Sequence, residues 1–204
     1  MRIYGLILAG GRATRMGGVD KGLQLFRGRP LALNAFERLK PQTDEILLSA
    51  NRSEEAYRRM LPAGTKILPD LRPDFAGPLA GLEAAMSCIP EGERKKAWLV
   101  TVPCDCPFFP ENLVESLKES GTPAVAAAGG RLQPSFLWVP ASFLPRLSAY
   151  LDSGERKLGL WARQAGCLEV NFPDAAAFQN CNSFEELSFA EALSAPSRKG
   201  SVSV

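Results

Sequence analysis

Short apolar runs at residues 3–9, 45–50, 66–69, 97–102, 124–128 and 168–172 alternate with segments of helical periodicity, and this alternation constrains the fold more than any other feature of the chain. Strands separated by helices return by crossovers, so the runs are expected to lie side by side in a mostly parallel sheet covered by helices, an α/β fold. Residues 132–139, after the Gly129-Gly130 turn, leave this pattern and are expected to pair antiparallel, which makes the sheet mixed. Helix starts are read at Ser53 before Glu54 and Glu55, at Pro78 after Gly77, at Pro110 before Glu111, and at Ser183 with Glu186 as a capping box. No repeat or low-complexity linker divides the 204 residues, which fit one domain over 1–194. Residues 195–204 are Ser-rich and poor in apolar side chains, and read as a disordered tail.

The first strand runs directly into a glycine-rich, cationic loop. Gly10, Gly11, Gly17 and Gly18 lack Cβ, so the backbone can turn several N–H groups toward phosphate oxygens, while Arg12, Arg15 and Lys21 bring positive charge to the same space. The spacing is neither a Walker A loop nor the dinucleotide G-x-G-x-x-G, and read alone it is also compatible with a solvated turn. Charge distribution favours the phosphate reading. Residues 1–30 carry six cations against Asp20 alone, in a chain whose formal net charge is only +2, which gives no general case for nucleic-acid or membrane attraction. The absence of histidine removes a His general base, Ser-His or Cys-His nucleophile pairs, and imidazole zinc sites. Five cysteines without C-x-x-C spacing argue against a disulfide framework, and Cys104 and Cys106 read as packing residues rather than metal thiolates. The apolar run before Gly10 is too short for a signal peptide or a membrane span, so a soluble, cytoplasmic protein is expected.

Ligands of open α/β sheets bind beyond the carboxyl ends of the strands. Residues just past those ends form a coherent set: the loop with Arg15 and Lys21 after the first strand, Asn51 after the second, Asp70 after the third, and Asp105 in Pro103-Cys104-Asp105 after the fourth. Asp105 suits Mg²⁺, which takes one or two carboxylates together with phosphate oxygens and water. Asp70 suits ribose, a base, or a metal-bound water. Asn51, Asp70 and Asp105 are each also compatible with turn or cap formation, and Asp20 with orienting Lys21 or ending the loop.

Taken together, Leu8-Ala-Gly-Gly with Arg15-Met-Gly-Gly-Val-Asp-Lys21, the segment from Asp74 to Leu82 with its Gly-Pro-Leu-Ala-Gly, and Val102-Pro-Cys-Asp-Cys-Pro-Phe108 resemble the molybdenum cofactor guanylyltransferase family. Gly154-Glu-Arg-Lys157 with Trp161, and the stretch from Phe178 through Asn180 and Asn182 to Leu187, extend the resemblance over nearly the whole chain. It implies a Rossmann-like, three-layer nucleotidyltransferase fold of the glycosyltransferase-A-like kind. The implied activity is Mg²⁺-dependent transfer of GMP from GTP to the terminal phosphate of Mo-molybdopterin, with release of pyrophosphate. Leu8, Ala9, Gly10, Lys21, Asn51, Asp70 and Asp105 match the nucleotide positions, with Arg15, Lys21 and Asp105 catalytic and Asp105 the metal ligand. Arg156, Lys157, Asn180 and Asn182 are implied on the pterin side, with Trp138 or Trp161 against the fused rings, although Trp161 at helical spacing reads more readily as core and Arg156-Lys157 is also compatible with a solvated helix start. Transient contacts with other molybdenum cofactor biosynthesis proteins and molybdoenzymes are implied as well. The attacking phosphate is already ionised near neutral pH, so alignment and charge neutralisation suffice without a general base. Where the family often has His-Pro before an aromatic strand, this chain has Gln133-Pro134-Ser135-Phe136. The same scaffold also serves cytidylyl transfer to the pterin and transfer to isoprenoid or sugar 1-phosphate acceptors, and a non-catalytic nucleotide-binding module is the alternative of another class.

Overall fold

The computed structural model describes residues 1–10, 20–72 and 77–181. Arg15, Asn182, the capping box at Ser183 and Glu186, residues 74–76 of the second motif and the tail from residue 195 lie outside the described residues. In chain order the elements are β1 (Arg2–Leu8), β2 (Leu25–Phe26), β3 (Arg29–Pro30), α1 (Leu31–Leu39), β4 (Glu45–Ser49), α2 (Glu54–Met60), β5 (Lys66–Leu68), α3 (Pro78–Cys88), α4 (Glu91–Arg94), β6 (Ala97–Pro103), α5 (Leu113–Lys118), β7 (Ala124–Ala128), β8 (Arg131–Pro140), α6 (Leu144–Asp152), α7 (Leu158–Gln164) and β9 (Leu168–Phe172). Short 3-10 turns include Lys21–Leu23 and Ala176–Phe178.

Seven strands form one sheet in the order β5-β4-β1-β6-β8-β7-β9. β8 is antiparallel to both neighbours, while the other pairings are parallel. The period of two along each strand sends neighbouring side chains to opposite faces. Ile7, Leu48, Val100, Ala126 and Trp138 join α1, α2 and α5 in one core. Leu6, Leu47, Leu99, Val125 and Leu137 join α3, α6 and α7 in the other. Three layers result, as expected for a parallel sheet that must be covered on both sides.

The helix starts fall close to the expected positions, with different local chemistry. α2 begins after Ser53, but that residue has φ +55° and its side chain makes no cap hydrogen bond. α3 begins at Pro78 after Gly77, whose φ of +80° favours a residue without Cβ. α5 begins only at Leu113, after Asn112, because residues 110–112 form a turn first. The β2–β3 hairpin turns at Arg27 and Gly28, both with positive φ, a primed turn that the pattern did not announce. Among the described residues no helix is long and apolar enough to cross a membrane.

Candidate active site

The parallel ladder continues past the strand ends and brings four predicted segments to one edge. The Ala9 N–H donates to the Ser49 carbonyl (2.9 Å), the Cys104 N–H to the Leu8 carbonyl (3.1 Å) and the Ala50 N–H to the Leu68 carbonyl (3.0 Å). Leu8, Ala9 and Gly10 therefore stand between Asn51 on one side and Cys104-Asp105 on the other. Gly10 lies against Asn51, where a Cβ would be 3.5 Å from Nδ2. Asn51 is in turn locked to Asp70: its Nδ2 donates to Asp70 Oδ2 (2.8 Å), and the Asp70 N–H donates to Asn51 Oδ1 (2.7 Å). Burial pushes the Asp70 carboxyl above its ordinary pKa, and the Asn51 amide opposes that by favouring the anion.

α3 closes over this edge because Gly81 carries no side chain. A Cβ there would come within 2.8 Å of Ser49 Cβ, closer than such contacts allow. Two residues beyond Asp70, Arg72 spans α3 and α6. Its Nε and Nη2 donate to the two carboxylate oxygens of Glu83, each at 2.7 Å, and its Nη1 donates to Asp152 Oδ1 at 2.7 Å. The Ser148 hydroxyl donates to Glu83 Oε1 at 2.8 Å. The Arg72 hydrogen bonds hold the buried Glu83 carboxyl below its ordinary pKa against the opposing effect of burial. Motif reading missed this clamp. Its signal was present as one carboxylate inside the otherwise apolar run of α3, a group that burial permits only with a cation.

At the centre of the edge, the Lys21 ammonium pairs with Asp105 Oδ2. Asp105 is buried and Lys21 partly so. The turn that presents Lys21 rests on Tyr57, and Gly22 makes this possible, since a Cβ there would meet the Tyr57 hydroxyl at 2.6 Å. Asp20 is buried just before it, with Oδ1 3.6 Å from Arg52 Nη2 and Oδ2 without a hydrogen-bond partner among the described residues. Cys104 and Cys106 flank Asp105 in the core, and burial raises both thiol pKa values. Both belong to the core that α1, α2 and α5 share. Among the described residues no cluster of three or more His, Cys, Asp or Glu side chains is arranged to hold a metal. A single buried carboxylate is nonetheless the hard oxygen donor that Mg²⁺ takes when nucleotide phosphates complete its shell, and the Lys21 ammonium on Asp105 marks a place that accommodates positive charge.

On the other side of β6 the edge is irregular. Pairing of β7 with β8 jumps from Val125–Leu137 to Ala126–Gln133, so residues 134–136 bulge out of that ladder. Thr101, buried in β6, bridges the gap: its hydroxyl donates to the Ser135 carbonyl (2.7 Å) and accepts the Leu137 N–H (3.0 Å). Gln133 and Pro134 are thereby held at the same edge as Asp105, and Gly159 of α7 abuts Pro134. Asn180 also reaches this edge, since the Cys181 N–H donates to the Asp105 carbonyl at 2.8 Å. The exposed Arg156 and Lys157 lie on the turn before α7; Arg156 Nη1 donates to the Leu151 and Glu155 carbonyls, each at 2.7 Å. Trp138 and Trp161 are not available to stack on a ligand: both are buried, Trp138 stacked on Trp98 and Trp161 within the α6–α7 core.

Comparison with known proteins fits this arrangement. Residues 5–165 match the family model described as the MobA-like NTP transferase domain. The molybdenum cofactor guanylyltransferase of Bordetella petrii is 47% identical over 195 residues, covering 91% of this chain and 95% of its own; that of Cupriavidus metallidurans is 45% identical, covering 91% and 92%. The crystal structure of molybdopterin-guanine dinucleotide biosynthesis protein A from Archaeoglobus fulgidus superposes with a TM-score of 0.70 at 20% identity, covering 93% of this chain and 97% of that one. A 4-diphosphocytidyl-2C-methyl-D-erythritol synthase from Anaerococcus prevotii shares the fold with a TM-score of 0.69 at 12% identity, covering 94% and 95%.

Proposed function

The chain belongs to the MobA-like NTP transferase family, and from that premise we propose that it transfers GMP from GTP to Mo-molybdopterin, forming Mo-molybdopterin guanine dinucleotide and releasing pyrophosphate. The observation that carries this reading is the pairing of Lys21 with Asp105 on the edge that also presents Gly10, Asn51 and Asp70. A cation and a carboxylate meet there beside Gly10, with an amide–carboxylate pair next to them for the nucleoside.

In this reading the backbone of Leu8, Ala9 and Gly10, together with Asn51 and Asp70, holds the guanosine. A terminal phosphate oxygen of molybdopterin, ionised near neutral pH, attacks the α-phosphorus of GTP in line with the bond to the β-phosphate. One P–O bond forms, the Pα–O bond to the β-phosphate breaks, and its electron pair leaves with pyrophosphate. Lys21 and Arg15 neutralise the charge gathered on the phosphates, and Asp105 is the residue that would hold Mg²⁺. When bound, the ion would lower the charge on the phosphate oxygens. Asn180 and Asn182 meet the pterin, with Arg156 and Lys157 supplying cations at the turn before α7 and Gln133 standing at the same edge.

Thermal protection by GTP, CTP, ATP and UTP, each with Mg²⁺, tests the base assignment directly, because a ligand that binds only the folded state raises its stability. GTP is expected to give the largest shift. A shift with CTP equal to or above that with GTP would move the protein to cytidylyl transfer.

A further inference from the structure

The segment after β9 folds back over the Asp105 turn, and its attachment is specific. The Phe178 ring packs edge-on against Phe136 (4.9 Å between centroids) and Phe172 (5.1 Å). The Cys181 N–H donates to the Asp105 carbonyl at 2.8 Å. Between these anchors, Cys106 Sγ lies 2.9 Å from Asn180 Oδ1 and 3.4 Å from the Phe178 carbonyl. Both neighbours of the sulfur are oxygen acceptors, so the thiol is the donor. With Oδ1 engaged by the buried thiol, the amide nitrogen of the exposed Asn180 has no hydrogen-bond partner among the described residues.

We propose that Cys106 is a positioning residue for the second substrate: its thiol fixes the Asn180 amide with Oδ1 turned inward, so that the substrate meets an N–H donor beside Asp105. The inference rests on the reading that Asn180 faces the pterin. A thiol is a weak donor, but Cys106 is fully buried, and its donation to Oδ1 selects one of the two amide orientations. The partner sought by this point of the site is therefore a hydrogen-bond acceptor of molybdopterin, an oxygen or a ring nitrogen.

The test is steady-state pyrophosphate release with GTP and molybdopterin varied separately, alongside melting curves, for Cys106→Ala, Cys106→Ser, Asn180→Ala and the double variant Cys106→Ala with Asn180→Ala. Cys106→Ala is expected to raise KM for molybdopterin about five- to tenfold, the worth of one hydrogen bond, with KM for GTP and kcat close to the parent. Cys106→Ser, which keeps a donor, returns KM to within about twofold, and Cys106→Ala adds nothing once Asn180 is Ala. If Asn180→Ala raises KM while folded Cys106→Ala does not, or if Ser fails to rescue, the positioning role is overturned and the acceptor site stands. If Asn180→Ala leaves KM for molybdopterin unchanged, the acceptor assignment of Asn180 fails, and the inference with it.

Discussion

From β5 to β6 the working edge is set by backbone, whereas from β6 to β9 it is set by side chains. In the first half, Ala9, Ala50 and Cys104 continue the parallel ladder past the strand ends and carry the residues that follow to the edge, where Asn51 and Asp70 hold each other. In the second half the ladder is broken at residues 134–136, and a hydroxyl, a thiol and a guanidinium on Thr101, Cys106 and Arg156 donate to the backbone carbonyls of Ser135, Phe178 and Leu151. A ladder is tolerant because every non-proline residue supplies the same donor and acceptor. A side-chain bridge depends on one functional group. Substitutions in the nucleotide half should therefore change chemistry or stability without moving the edge, and those in the acceptor half should move it.

The largest effect is expected at Asp105. Asp105→Asn removes the charge that faces Lys21, while the backbone carbonyl that accepts the Cys181 N–H remains. Guanylyl transfer is expected to fall about a hundredfold or more, comparable to the loss of one preorganised electrostatic contact, with a melting temperature near that of the parent. Lys21→Ala should instead raise KM for GTP and leave the Mg²⁺ dependence in place. Near-normal turnover of Asp105→Asn across a Mg²⁺ titration would remove the catalytic centre from this edge.

Next comes Arg72, a side-chain clamp within the nucleotide half and so a sharper probe of the comparison. Arg72→Ala strands the buried Glu83 carboxylate, at a cost of about 2 kcal/mol; this is below the loss typical of wholly buried pairs because Arg72 keeps some access to water. KM for GTP of the folded fraction should stay within about twofold, since the ladder and Asn51 place Asp70. A pH signature accompanies it. Glu83 has a folded pKa below its unfolded value, so its contribution is fully present above the ordinary glutamate range and is lost as pH falls through the folded value. Denaturant melts should lose that component in Glu83→Gln. A large rise in KM for GTP with Arg72→Ala would mean that the clamp, and not the ladder, positions the nucleotide.

Thr101 is the matching probe of the acceptor half. Thr101→Val keeps the shape but removes both the donor to Ser135 and the acceptor for Leu137, and should cost about 1–2 kcal/mol in a denaturant melt. Because the bulge carries Gln133 and Pro134, KM for molybdopterin should rise severalfold, while KM for GTP should not. Thr101→Ser should restore both. Equal effects on the two substrates would show that the halves are not held separately.

The same division explains what the sequence disclosed. Strands, layers and the strand-end residues Asn51, Asp70 and Asp105 were legible because hydrophobic periodicity locates strands, and a parallel sheet delivers their carboxyl ends to one edge. The Arg72–Glu83 clamp and the Thr101 bridge were not, since each joins residues far apart in sequence through a geometry that no local pattern encodes. For Trp161 the helical spacing already favoured the core over ring stacking, and inward-facing positions commit both Trp138 and Trp161 to it. Ser53 marked a helix start correctly, yet with positive φ and no side-chain cap, so the acidic first turn rather than the hydroxyl accompanies that end.

The smallest effects are expected at Arg156 and Lys157, where the comparison is most easily broken. Both are exposed, and contacts made by exposed cations are weak and screened by salt. Lys157→Ala should raise KM for molybdopterin about two- to fourfold at low ionic strength and less in salt. Arg156→Ala should do less still, because Nη1 already serves the carbonyls of Leu151, at the end of α6, and Glu155. Its loss should appear instead as a slightly lower melting temperature. A tenfold or larger rise in KM with Arg156→Ala would require the guanidinium to leave Leu151 when substrate arrives. The acceptor half would then be organised by the substrate itself rather than by bridges already in place.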